Sequence, residues 1–165
     1  MNFQKIKIIL FGFAFIIISM LMVECASKLN NNTKLNIDVQ VLSYNAWINL
    51  MPGINMRPTF HFTGKIIIEN NSADLVKYLK LQEIDIYSDS ILIYKFAPIF
   101  KSEINDTLNN ILPSSEKVFT FMSPKELLMK NGFDPQKHFS ALLKFSSEGN
   151  IFEYKINNIK VDKVY

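Results

Sequence analysis

The chain has 165 residues, 18 of them basic and 15 acidic, and a formal charge of +3. Its one arginine, Arg57, and the lack of any lysine-rich run argue against nucleic acid as a partner, because phosphate binding needs concentrated positive charge. Five glycines without a phosphate-cradling motif exclude the usual nucleotide loops, and a single cysteine excludes an internal disulfide.

The first element is a leader. Lys5 and Lys7 precede an apolar run from Ile8 to Val23, the order of charge and grease that marks a secretory signal. The run is 16 residues long, a little short of the roughly 17–25 that span a bilayer. Cys25 stands at its end. This layout resembles a bacterial lipoprotein signal, with Met22 at the position of the leucine-like residue and Glu24 where the pattern has a small one. The resemblance implies cleavage before Cys25 and lipid on its sulfur. Secretion and a retained anchor are the alternatives. On this reading residues 1–24 are a signal peptide and residues 25–34, with Asn30, Asn31 and Asn32 at their centre, are a polar tether. Residues 35–165 are the folded domain, long enough to build a core without disulfides. The expected address is outside the cytoplasmic membrane. In a cell with two membranes it is the outer one, because Ala26 replaces the aspartate that resembles an inner-membrane retention signal.

Beyond the tether the apolar period is two. Leu35, Ile37, Val39 and Val41 alternate with polar residues, and Tyr44 to Leu50 continues extended. Pro52, Gly53 and Pro58 make Leu50 to Pro58 a loop. Phe60, Phe62, Gly64, Ile66 and Ile68 predict a second strand ending at Asn70. Tyr78 to Tyr87 predicts a third, with a slip of pattern between Leu81 and Ile84 that marks a β-bulge. Ile91 to Phe96 is a short strand stopped by Pro98, and Lys101 to Ser115 is irregular. After the strand Val118 to Met122, the run Ser123-Pro124-Lys125-Glu126 reads as a capping box that opens a short helix, 124–131, closed by Gly132. Lys137 to Ser146 and Ile151 to Val164 form a final hairpin, the last strand kinked at Asn157-Asn158.

Seven or eight short antiparallel strands with one short helix predict an all-β chain of two packed sheets. The spacing and alternation over most of residues 35–165 resemble an immunoglobulin-like or fibronectin-type-III-like sandwich, without the Cys–Trp–Cys core of antibody domains. An open β-barrel is the alternative.

The chemistry is sparse. His61 and His138 are the two histidines, and each flanks a phenylalanine whose alternation sends the imidazole to the wet face. No nucleophile motif accompanies them, so the chain reads as non-enzymatic and without a cofactor. Met51, Met56 and His61 could together hold copper(I), soft sulfur with imidazole. Ala46-Trp47 followed by Pro52-Gly53 is similar to the opening of periplasmic copper-chaperone domains, which implies a metal-handling alternative. Asp85, Asp89, Asn105 and Asp106 offer hard oxygen ligands at spacings that match no calcium loop, and Glu83 reads with Asp85 as a solvated strand face.

The candidate recognition surface is Trp47 with the loop residues Leu50, Met51, Ile54, Met56 and Arg57, unusually apolar for a loop on a rigid scaffold. The same loop could instead close the open end of the core. A second apolar stretch is Tyr94, Phe96, Pro98 and Phe100. The expected partners are the membrane, through the lipid, and an envelope protein.

Overall fold

The computed structural model describes residues 35–51, 57–104, 108–125, 127–130 and 133–165. Cys25, the tether and the loop residues Ile54 and Met56 lie outside them, as do Asn105 and Asp106.

Alternation dictates the strands. Nine are found among the described residues: β1 (Ile37–Asn49), β2 (Thr59–Asn70), β3 (Lys80–Ser88), β4 (Ile91–Phe96), β5 (Ile99–Ser102), β6 (Ser115–Met122), β7 (Phe139–Ser147), β8 (Asn150–Ile159) and β9 (Val161–Val164). They form a five-stranded sheet of order β5-β6-β2-β1-β9 and a four-stranded sheet of order β4-β3-β7-β8. The two sheets are separate and no barrel closes, so the layout is sandwich-like. All pairings are antiparallel except β1 with β9, which run parallel.

The core is phenylalanine-rich because each strand turns one apolar row inward. Phe60 and Phe62 of β2, Phe119 and Phe121 of β6, and Phe139 and Phe145 of β7 are all fully buried. Rings join across the two sheets at both ends. Phe60 stacks on Tyr94 at 4.7 Å, and Tyr94 meets Phe133 at 5.8 Å. Phe100 stacks on Phe119 at 4.7 Å and meets the edge of Phe145 at 6.2 Å. Gly64 supplies a gap in the inward row of β2. A Cβ there would run into the ring of Phe121, its cross-strand partner. The ring thus covers the glycine backbone, as aromatic residues do opposite strand glycines.

The bulge expected between Leu81 and Ile84 is present as a register shift between Leu81 and Glu83 against β7. The kink at Asn157-Asn158 is present too: Ile159 pairs with Phe139 and Ile156 with Ala141, and Asn158 has a φ of +57°. The chain then leaves the four-stranded sheet and Val161 joins the other. What reads as one kinked strand is two strands in two sheets.

The short helix expected at 124–131 does not form. Among the described residues this segment is extended, with the Phe60 amide donating to the Leu127 carbonyl at 2.7 Å and the Met129 amide to the Pro58 carbonyl at 2.8 Å. Leu127 and Met129 pack against the core while Leu128 between them is exposed, a period of two. Two turns of isolated helix have too few hydrogen bonds to offset nucleation, and pairing with the start of β2 satisfies the backbone instead. Ser123, the expected cap, closes the β2–β6 ladder: its amide donates to the Phe62 carbonyl at 2.8 Å, and its hydroxyl accepts from the Phe62 amide at 3.1 Å.

Pro98 ends β4 as expected, but β5 follows at once and pairs with β6 at the edge. Tyr94 and Phe96 are buried and half-buried Phe100 packs against Phe119 and Phe145, so these side chains belong to the core.

Candidate functional site

The site grows from the pleat of β1. Ala46 and Ile48 are buried at 3% and 1% exposure, so Trp47 between them must face outward. Its cross-strand partner on β2 is His61, which faces outward for the same reason, between Phe60 and Phe62. The two rings stack at 5.0 Å with 14° between their planes. Both side chains are half-buried. Beside them Thr59 Oγ1 lies 2.9 Å from His61 Nε2. Burial holds the His61 imidazole below its ordinary pKa, because desolvation penalises the charged ring.

Neighbouring strands extend this surface. Asp162 of β9 is the ladder partner of Trp47 on the far side. Thr63 of β2 pairs with Met122 of β6, and Met122 pairs with Ile99 of β5. Met122 and Ile99 are 45% and 43% exposed, so two large apolar side chains sit side by side on the outer face. The loop leaves from the same end. Leu50 is half-buried against the core, its amide donating to the Val164 carbonyl at 2.8 Å. Met51 is 55% exposed, its amide donating to Asn49 Oδ1 at 3.0 Å. Arg57 is exposed.

The structure therefore brings Trp47 and His61 into contact and divides the loop residues. Leu50 belongs to the core edge and Met51 to the surface. Sequence reading did not find Met122 and Ile99. Met122 carried a signal, since it falls in the polar parity of β6, opposite to Phe119 and Phe121. Ile99 carried none, because β5 is too short to show a period.

Aromatic stacking and exposed apolar side chains suit recognition. A histidine base in a nucleophilic triad is oriented by a carboxylate; among the described residues His61 bonds to the Thr59 hydroxyl instead. Asp85 and Asp89 are engaged by lysines. The Lys144 ammonium lies 2.7 Å from Asp85 and 2.9 Å from Glu83, Lys95 lies 2.9 Å from Glu83, and Lys137 lies 3.1 Å from Asp89. The paired lysines hold Glu83 below the usual carboxylate range, and the two carboxylates raise Lys144. Asp85 is only 3% exposed, so the pair reading of Glu83 and Asp85 as an open wet face is corrected: Lys144 covers it. No group of three histidine, cysteine or carboxylate side chains that could hold a metal occurs among the described residues.

No protein-family description matches the chain, and no curated protein matches it. Several solved structures resemble it, two of which follow. One is Northeast Structural Genomics Consortium target SoR45, with 14% identity and a TM-score of 0.42 over 75% of this chain and 86% of that one. The other is ycdA of Bacillus subtilis, a candidate lipoprotein, with 11% identity and a TM-score of 0.40 over 74% of this chain and 36% of that one.

Proposed function

We propose that this protein is an extracytoplasmic, lipid-tethered binding module of the cell envelope, without catalytic activity. Its recognition surface is the outer face of the five-stranded sheet around Trp47 and His61. The observation that carries the reading is the half-exposed Trp47–His61 stack, continued by Met122, Ile99 and Met51. A tryptophan on a flat sheet face, flanked by exposed apolar side chains, is the composition of an interface core. The leader with Cys25 supports the compartment and the anchor. An immunoglobulin-like assignment is supported by the strand order, in which the last strand leaves one sheet to run parallel with the first strand of the other. The expected partner is an envelope protein that offers an apolar patch of matching size.

Truncation separates this reading from a loop that closes the core. Met51→Ala and Met122→Ala should hold stability within about 0.5 kcal/mol, the usual range for surface changes, while weakening partner capture from solubilised envelope. Phe62→Ala, at a fully buried position, should cost about 3–5 kcal/mol as a core reference. A loss of about 2 kcal/mol or more for Met51→Ala would make it a core residue, and the surface would then lack its loop side.

A further inference from the structure

The crossing of the chain between sheets leaves a second feature, which meets the Trp47 surface at Asp162. Where β8 ends and β9 begins, a cleft of about 410 Å³ opens between residues 135–138 and residues 158–162. That volume lies within the range of small-molecule sites, near its lower end. Its apolar wall is Pro135, Ile159 and Val161, and its polar rim is Lys137, His138, Lys160 and Asp162. The cleft follows from the fold. Asn158, at a φ of +57°, turns the strand out of one sheet, while the Asp134 carbonyl and carboxylate bind the amides of Lys137 and Gln136 and shape the opposing turn.

The rim is unevenly charged. Two lysines and one histidine line it with one carboxylate. Lys137 is committed to Asp89 at 3.1 Å. Among the described residues, Lys160 and Asp162 form no ion pair within 4 Å, and the His138 imidazole has no hydrogen-bond partner. An ammonium and an imidazole that share a half-apolar cleft without an internal partner fit a compact anion. We propose that this cleft binds a small anionic molecule, a carboxylate or phosphate monoester with a short apolar body. Lys160 and His138 take the charged head, Pro135 takes the body, and Asp162 accepts from a hydroxyl or amine of the ligand.

The test is an amide-shift titration of the isotope-labelled full chain in detergent, with monobutyl phosphate as probe and sodium chloride of equal ionic strength as reference. The expected result is saturable shifts confined to Gln136–His138 and Asn158–Asp162, with a dissociation constant near about 1 mM or tighter. Lys160→Glu should weaken binding at least about tenfold, and His138→Gln should weaken it by less. Lys80→Glu, the same charge change at an exposed position outside the cleft, should leave it unaltered. Shifts reproduced by sodium chloride, shifts spread over the surface, or equal affinity in Lys160→Glu and wild type would each overturn the proposal.

Discussion

His61 joins the fold and the surface in one side chain. Its backbone belongs to a ladder whose neighbours, Phe60 and Phe62, are fully buried, while its ring lies against Trp47 on the outside. Burial lowers its pKa from the ordinary 6.5. The folded chain therefore holds fewer protons on this ring than the unfolded chain between the two values. The stability tied to a neutral His61 is complete above 6.5 and falls as pH drops through the lowered value. Trp47 is the single tryptophan, so its emission reports on the stack alone. A fluorescence titration should show a transition with its midpoint below 6.5, and His61→Gln should flatten it. A midpoint at or above 6.5 would mean that the ring is not desolvated against Trp47.

At the scale of elements, the sheet ladders answer to single hydrogen bonds at their ends. Ser123 is 5% exposed, and its hydroxyl is the partner of the Phe62 amide. Ser123→Ala should therefore leave a buried amide unsatisfied and cost about 1–3 kcal/mol by chemical denaturation; a loss under about 0.5 kcal/mol, the ordinary surface range, would show that the hydroxyl is dispensable. The same residue shows where sequence stops being informative. Alternation made β2 legible from Phe60 to Ile68, and slips of the pattern exposed the bulge after Leu81 and the break at Asn157-Asn158. These are local signals. Ser123-Pro124-Lys125-Glu126 is also a local signal, and it pointed to a helix because a serine side chain bonds equally well to a helix amide or to the amide of a facing strand. Which one it meets depends on β2, about sixty residues earlier in the chain. The site divides in the same way. Trp47 is evident from composition, but its contact with His61 follows from the β1–β2 register, and Met122 beside Ile99 follows from strand pairing that no periodicity reveals.

Over the whole molecule, the sandwich-like domain and the proposed lipid anchor are tested separately. If Cys25 carries lipid, Cys25→Ser should move the protein out of the detergent phase or stop its processing, and intact-mass analysis of the wild type should show the acyl mass; a wild-type chain without an acyl group would remove the lipid and leave the secreted and retained-anchor alternatives. The proposed recognition surface occupies one face of the domain. The two outer faces differ in composition. One carries Trp47, His61, Met122 and Ile99; the other carries the charged network of Glu83, Asp85, Lys95 and Lys144, with exposed Lys155 nearby on β8. The direct measurement is photocrosslinking in intact cells, with a benzophenone amino acid placed at Met122 in one strain and at Lys155 in another. A recognition surface around Trp47 should give a discrete crosslinked species from position 122 that disappears with Trp47→Ala, and none from position 155. No product at 122, a product indifferent to Trp47→Ala, or an equal product at both positions would contradict it.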